Sequence, residues 1–269
     1  MKRVAFTLGL NGMKFLPDQM KTIPKLFDKW YIIEGPVKSV NCTSWCNDIP
    51  PQYINGVNMS SDGTYEYLNG LDNPKIEVIR TPLVNGKHRY WNGKVEMCNS
   101  FMGKVEDSIL MQIDMDEFWS KNTIDKISDK LEESPCFPNK SIGMIFKCNF
   151  FVGPNLVTVG NNCYGDMNYE WNRAWKINGK ATWLTHEPPK LDTTTGYITK
   201  KWTCDNDIGF RHHAYMYEDQ VKFKEDYYGY KGAVDGWKRL QNETKFPVYL
   251  RDYFPWVKDN TQVMRIGDI

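Results

Sequence analysis

One segment constrains the fold more than any other. The largely apolar run SILMQI at 108–113 leads directly into the acidic sequence Asp114-Met115-Asp116-Glu117. A run of this kind is typical of a strand that is buried on both faces of a parallel sheet. Carboxylates that follow such a strand lie at the carboxyl edge of the sheet, where ligands bind in open α/β folds. The segment therefore predicts a central strand over 108–119 with a ligand site at its end.

The first half of the chain alternates strands with helices. Its hydrophobic patterns predict strands at 4–10, 29–35 and 76–82, a loop and helix at 13–28, and a helix over 89–106. Between the second and third strands lies a long irregular stretch rich in Asn, Ser, Gly and Pro, with one helical turn expected. Alternation of this kind predicts a parallel α/β sheet.

The second half has a different pattern. After a predicted helix at 122–134, several strands follow without helices between them, so this half is expected to be more antiparallel. The predicted strands are IGMIFKCNFFVG, LVTVG, NRAWKI and ATWLTH. The chain then closes with helical segments at 218–229 and 234–243 and a tail punctuated by prolines. No repeat or linker divides the chain, which favours one α/β domain over 1–269.

Positive and negative side chains nearly balance, with 34 Lys and Arg against 33 Asp and Glu and a formal net charge of +1. Such a chain has no broad basic field for a nucleic-acid backbone or an anionic membrane. No apolar run approaches the roughly 20 residues of a membrane span, and the segment MKRVAFTLGLNG is interrupted too soon for a signal peptide. Seven cysteines without a CxxC pair favour reduced thiols. We therefore expect a cytoplasmic protein that binds no nucleic acid and spans no membrane.

The acidic pair at the end of the central strand is the first candidate site. Residues i and i+2 of a strand point to the same face, so Asp114 and Asp116 are expected to reach one hard cation such as Mn²⁺ or Mg²⁺. A neutral imidazole is a good further ligand for Mn²⁺, which makes His212 or His213 a candidate to complete the site. The alternatives are a solvated strand end for the carboxylates and a structural hydrogen-bonding role for the histidines.

Other polar residues are placed around this edge by the predicted elements. Glu34 ends the second strand, where an acidic side chain commonly binds a ribose or a base edge. Lys94 and Asn99, on the helix before the acidic pair, are candidate phosphate and sugar contacts. Asn11, just after the first strand, is a further candidate for binding a ligand at this edge. Glu187, held rigidly in the sequence His-Glu-Pro-Pro, is a candidate general base toward a hydroxyl, with a structural turn as the alternative.

Several segments, in this order along the chain, resemble one known group. They are YIIEG, RYWNGKVEMCNS, LMQIDMDEFW, WLTHEPP and HHAYMYEDQVKFKEDYYG. Together they are similar to small bacterial and viral glycosyltransferases of the GT-A fold, family 2 type, over most of 1–230. The resemblance implies a Rossmann-like half at 1–120 that binds a nucleotide sugar, a smaller antiparallel acceptor half at 121–230, and a helical and aromatic tail at 231–269.

The resemblance also implies roles for individual residues. Asp114 and Asp116 would hold the metal and the diphosphate of a nucleoside-diphosphate sugar, with a UDP-sugar favoured, and Glu34 would lie near the nucleoside. Members of the group more often have His-Tyr-Ala-Tyr at the second histidine segment, so His212 matches the usual ligand position and His213 remains an alternative. The acceptor would be a hydroxyl of a glycan or another molecule.

The catalytic base is not identified by any shared motif. Glu187 is our preferred candidate, and Asp166 and Glu170 in the aromatic stretch YGDMNYEW are its rivals. Three tryptophans are expected to stack against acceptor sugar rings, namely Trp171, Trp175 and Trp183.

Two other functions fit an acidic pair and a histidine. One is a metal-dependent phosphohydrolase or nucleotidyltransferase, since the same groups suit phosphoryl chemistry. The chain has no Gly-rich phosphate loop and no second acidic cluster to support it. The other is a carbohydrate-binding protein without catalytic activity, against which the intact aspartate pair argues.

Overall fold

The computed structural model describes residues 1–38, 47–133, 142–159, 171–187, 189–193, 196–197, 200–203 and 209–268. Its α-helices are α1 Leu16–Leu26, α2 Thr64–Asn69, α3 Lys94–Met102, α4 Lys121–Glu133, α5 Glu218–Tyr228 and α6 Ala233–Gln241. The strands of the first half are β1 Lys2–Gly9, β2 Lys29–Glu34, β3 Ile76–Ile79, β4 Leu83–Val84, β5 Lys87–His88, β6 Ser108–Gln112 and β7 Glu117–Phe118.

The strands of the second half follow. They are β8 Ile142–Gly153, β9 Leu156–Val159, β10 Trp171–Ile177, β11 Ala181–His186, β12 Pro189–Thr193, β13 Gly196–Tyr197, β14 Lys200–Thr203, β15 Gly209–His212, β16 Val248–Tyr249 and β17 Gln262–Arg265. Short 3-10 turns complete the tail.

Most strands join one large mixed sheet. Its order is β16-β17-β9-β8-β10-β6-β1-β2-β3. The strands β6, β1, β2 and β3 run parallel to one another, whereas β10, β8, β9 and β17 continue the sheet in antiparallel pairs. The predictions of a parallel α/β first half and a more antiparallel second half are therefore confirmed.

Both faces of the parallel part are covered, which explains its apolar strands. Ala5 packs with α1 and α4 on one face, and the next residue, Phe6, packs against Phe101 of α3 on the other. In β6 the same alternation sends Ile109 to the first face and Leu110 to the second. Successive side chains of a strand point to opposite faces, so a strand between two helical layers has to be apolar throughout.

Two predictions about element boundaries are wrong. The predicted helix at 89–106 is shorter, because the backbone N–H of Trp91 donates to Pro36 and its indole N–H donates to the carbonyl of Glu34. The predicted strand at 108–119 ends at Gln112, and a turn separates it from β7. In the ranges that the structure describes, no helix combines the length and apolar character needed to cross a bilayer.

Candidate functional site

The carboxyl ends of the parallel strands meet at one edge of the sheet. Gly9 of β1 pairs with Glu34 of β2, and Phe6 of β1 pairs with Gln112 of β6. The loop after β1 and the turn after β6 therefore lie side by side. The strand β15 reaches the same place because it pairs with β7, with His212 opposite Glu117.

The acidic segment forms a turn at this edge. The backbone N–H of Glu117 donates to the carbonyl of Asp114 at 3.0 Å. The side-chain amide of Gln19 donates to the same carbonyl at 2.8 Å and to the carbonyl of Glu117 at 3.0 Å. The same-face argument for Asp114 and Asp116 required a strand, so it does not hold. The two carboxylates instead have different partners.

The residue between the two aspartates anchors the turn. Met115 is only 7% exposed and packs against the loop after β1. A Cβ atom at Gly12 would lie 1.6 Å from the sulfur of Met115, and one at Gly9 would lie 2.1 Å from its terminal methyl. These two glycines therefore allow the close approach that holds the turn against β1.

Asp114 is bound by groups of the protein itself. Nη2 of Arg173 lies 3.1 Å from its Oδ2, and the amide of Gln112 donates to its Oδ1 at 2.9 Å. The Nε of Arg173 also donates to Oε1 of the buried Glu117 at 2.8 Å. Burial raises the pKa of Glu117 to about 7, although Arg173 opposes the shift. Arg173 thus ties two carboxylates of the turn together.

Asp116 faces a histidine instead. Its Oδ1 lies 3.3 Å from Nε2 of His212, and the backbone N–H of His213 donates to its carbonyl at 2.8 Å. Burial disfavours charge on both side chains, but their mutual attraction outweighs it. Burial lowers the pKa of His212, but the negative charge of Asp116 raises it, and the net effect is a raised pKa. The pKa of Asp116 is held below its usual range by His212 and Lys224 in spite of burial.

The second histidine of the pair lies in an aromatic environment. The ring of His213 is 4.6 Å from that of Phe151, 4.7 Å from that of Phe118 and 6.1 Å from that of Phe15. Burial lowers the pKa of His213 to about 4. Of the two candidates, His212 is thus the one whose ring lies beside the acidic turn.

A hard cation needs several oxygen or nitrogen ligands that converge on one point. In the portions of the chain that the structure describes, no three His, Cys, Asp or Glu side chains converge as a ready metal site. Asp116 and His212 do present an oxygen and a nitrogen 3.3 Å apart. Two ligands about 2.1 Å from an octahedral ion and at right angles are about 3 Å from each other. This pair fits adjacent positions on one ion, whereas Asp114 is already engaged with Arg173.

Glu187 lies beside the turn in a charged cluster. Its Oε1 is 2.8 Å from Nζ of Lys94 and 3.4 Å from Nδ1 of His186. Gln112 connects this cluster to Asp114, since its amide also approaches Nε2 of His186 at 3.5 Å. Burial tends to raise the pKa of Glu187, but Lys94 and His186 hold it below its usual range. The carboxylate is therefore ionised, and it is a weaker base than an unpaired one.

Glu34 is fully buried at the end of β2. Nε of Arg80 donates to its Oε2 at 2.7 Å. Its other oxygen, Oε1, is buried and accepts no hydrogen bond from the described residues. A buried acceptor at this edge suits an incoming N–H or O–H donor.

Asn11 and Asn99, two residues predicted to contact the nucleotide sugar, form hydrogen bonds with the backbone of the protein. Nδ2 of Asn11 donates to Tyr53 at 2.8 Å, and its Oδ1 accepts from the N–H of Ser61 at 2.8 Å. Asn99 holds Trp183 in the same way, donating to its carbonyl at 2.9 Å and accepting from its N–H at 2.8 Å. Asn11 therefore fixes a loop beside the site, and Asn99 fixes the strand β11.

The aromatic and acidic candidates of the second half divide into two groups. Asp166 and Glu170 lie outside the described residues, as does the side chain of Trp171. Trp175 and Trp183 are 2% and 1% exposed and pack against each other at 5.1 Å. The prediction that these two stack on acceptor sugars is wrong, because their ring faces are covered by the core.

Sequence reasoning missed two cations of this site, Arg173 on β10 and Lys224 on α5. Arg173 had a visible signal, since it is a charged residue inside the strand pattern NRAWKI. Charged residues are rarely buried unless they are paired. Lys224 had none, because a lysine on a helix is usually solvated.

Comparisons with known proteins leave the family open. No family model matches the chain, and no curated protein matches it. Among solved structures, the chain is similar to the crystal structure of S. aureus TarS, residues 1–349, with a TM-score of 0.33 and 14% sequence identity. The match covers 56% of this chain and 36% of that one. The function must therefore be inferred from the residues of the site.

Proposed function

We propose that the protein is a metal-dependent glycosyltransferase of the GT-A type. It would move a sugar from a nucleoside-diphosphate sugar, with a UDP-sugar favoured, to a hydroxyl of a glycan or another acceptor. One observation carries the proposal. The carboxyl edge of a parallel sheet brings together an Asp-x-Asp turn and a buried Glu34, with His212 of a distant strand 3.3 Å from Asp116.

The nucleoside of the donor would lie at the end of β2. Ligands bind at this edge of open α/β sheets, and an acidic residue there commonly accepts a hydrogen bond from the nucleotide. Oε1 of Glu34 is a buried acceptor without a hydrogen bond from the described residues. Arg80 fixes the other oxygen, so the carboxylate is held in one orientation.

The diphosphate would lie at the acidic turn. Asp116 and His212 would hold Mn²⁺ or Mg²⁺, and diphosphate oxygens and water would fill the remaining positions, which is how small hard cations are commonly bound. A metal there would neutralise charge on the departing nucleoside diphosphate. Asp114 would keep the turn in place through Arg173 and Gln112.

The acceptor hydroxyl needs a general base. Glu187 remains our candidate because its side chain is 45% exposed and joins the turn through His186 and Gln112. Its ion pair with Lys94 would have to loosen for it to accept a proton. Asp166 and Glu170 remain its rivals.

Thermal shift measurements with nucleoside diphosphates test the proposal. With saturating UDP and Mn²⁺ we expect the melting temperature to rise by about 5 °C or more, because a ligand at about 100 times its Kd adds about 2.7 kcal/mol of stability. Removing Mn²⁺, or replacing Asp116 with Ala, is expected to abolish the metal-dependent part of this rise in melting temperature. If UDP, GDP and their sugars all leave the wild-type melting temperature unchanged, the proposal is wrong.

A further inference from the structure

The helix α5 carries a lysine, Lys224, near the acidic turn, although the two are far apart in the sequence. Lys224 is partly buried, and its Nζ lies 5.1 Å from the ring centroid of Tyr215 and 5.8 Å from that of Tyr228. The two rings surround the ammonium group with π faces and remove part of its water. A cation held in this way is costly to desolvate unless negative charge is close.

That negative charge comes from the candidate site. Burial lowers the pKa of Lys224, and the charges that oppose this shift belong to Asp116, Asp114 and Glu187, while Lys94 adds to it. Lys224 therefore lies within electrostatic reach of the acidic turn. None of the described carboxylates comes within 4.0 Å of its Nζ.

The neighbouring cations of the site are bound differently. Arg173 contacts both Asp114 and Glu117, and Lys94 contacts Glu187. The charges of Arg173 and Lys94 are thus already paired with carboxylates of the protein. The ammonium group of Lys224 lies near the same carboxylates without a direct contact to any described one, so it can make a short contact with an anion that enters the site.

We propose that Lys224 binds the diphosphate of the nucleotide donor. This inference rests on the proposed function and adds a residue to it. An ammonium group is a compact point charge with three donors, which suits the oxygens of a phosphate. The tyrosine rings hold it within electrostatic reach of Asp116 before the ligand arrives, so little ordering is required on binding.

The same helix provides a matched control. Lys222 precedes Lys224 by two residues on α5, which places it on another face of the helix; it is half-exposed and forms an ion pair with Asp226. Replacing either lysine with Met removes one positive charge from the same helix. Only the change at Lys224 is expected to alter diphosphate binding.

Calorimetric titration with UDP and with uridine, both in Mn²⁺, separates the diphosphate contact from the nucleoside contact. For Lys224→Met we expect the Kd of UDP to increase about ten- to hundredfold, as for loss of a charged hydrogen bond. Uridine affinity should change less than about twofold, as should both affinities of Lys222→Met. Lys224→Arg should restore most of the UDP affinity.

The outcomes distinguish this inference from the proposed function. If the wild-type protein binds no UDP, the proposed function fails and the inference fails with it. If the wild type binds UDP and Lys224→Met binds it equally well, only the inference is overturned. Lys224→Gln serves as a second variant that keeps a long polar side chain. If neither the Met nor the Gln variant folds by circular dichroism, Lys224 belongs to the packing of α5, and the inference is also overturned.

Discussion

The two aspartates of the turn are chemically identical and lie two residues apart, yet their surroundings differ. Asp114 contacts Arg173 and Gln112, whereas Asp116 contacts His212. Arg173 is always charged and cannot give up its role to a metal ion. An imidazole can exchange its proton for a metal. Asp114 thus fixes the turn, whereas Asp116 is the aspartate that we propose for cation binding.

We expect the largest effect on stability from replacing Arg173, the residue that contacts Asp114 and Glu117. Arg173→Met leaves the buried carboxylate of Glu117 without its cation, and breaking a buried ion pair costs about 3–5 kcal/mol. We therefore expect the free energy of unfolding, measured by urea denaturation, to fall by about that amount. Adding Glu117→Gln to this variant should recover part of the loss, because the two residues are in contact.

A loss below about 1 kcal/mol in Arg173→Met would contradict this view of the turn. Such a result would mean that the ion pair behaves like an exposed one. An unchanged loss in the double variant would show that Glu117 is not the group that requires the arginine.

A smaller effect on stability is expected from the titration of His213. Burial lowers the pKa of His213 to about 4 from its ordinary 6.5. As the pH falls from 6.5 to 4, the unfolded chain binds a proton that the folded protein excludes, so stability falls over this range. Allowing for solvent screening of a partly exposed group, we expect a loss of about 1–2 kcal/mol.

The variant His213→Phe isolates this effect, because it keeps a ring among Phe118 and Phe151 but removes the titrating group. Urea denaturation of both proteins at several pH values gives the comparison. The wild type should lose more stability than the variant between pH 6.5 and 4. Parallel stability curves for the two proteins would show that His213 takes up its proton equally well in the folded state.

The sequence predicts much of the fold, because hydrophobic periodicity reports local structure. The strands β1 and β2 and the helix α4 lie close to their predicted positions, and β6 begins where it was predicted to begin. The end of β6 was predicted wrongly, since a continuous pattern over 108–119 gives no sign of a turn. That turn is closed by the side chain of Gln19, which lies almost a hundred positions away along the chain.

The candidate site was only partly predictable for the same reason. The acidic segment and Glu34 follow strands of the first half, so their position at one edge can be predicted from the pattern alone. Arg173 and Lys224 come from a later strand and helix, and only the folded chain brings them to the turn. The choice of His212 over His213 also depends on tertiary packing, which puts one ring beside Asp116 and the other among phenylalanines.

The central claim is that a metal ion binds on the Asp116 side of the turn and not on the Asp114 side. Titration of Mn²⁺ into the protein with bound UDP, followed by electron paramagnetic resonance, tests it most directly. We predict that Asp116→Asn weakens Mn²⁺ binding by at least about tenfold, whereas Asp114→Asn changes it by less than about threefold. Equal losses in the two variants, or a loss in Asp114→Asn alone, would contradict the account.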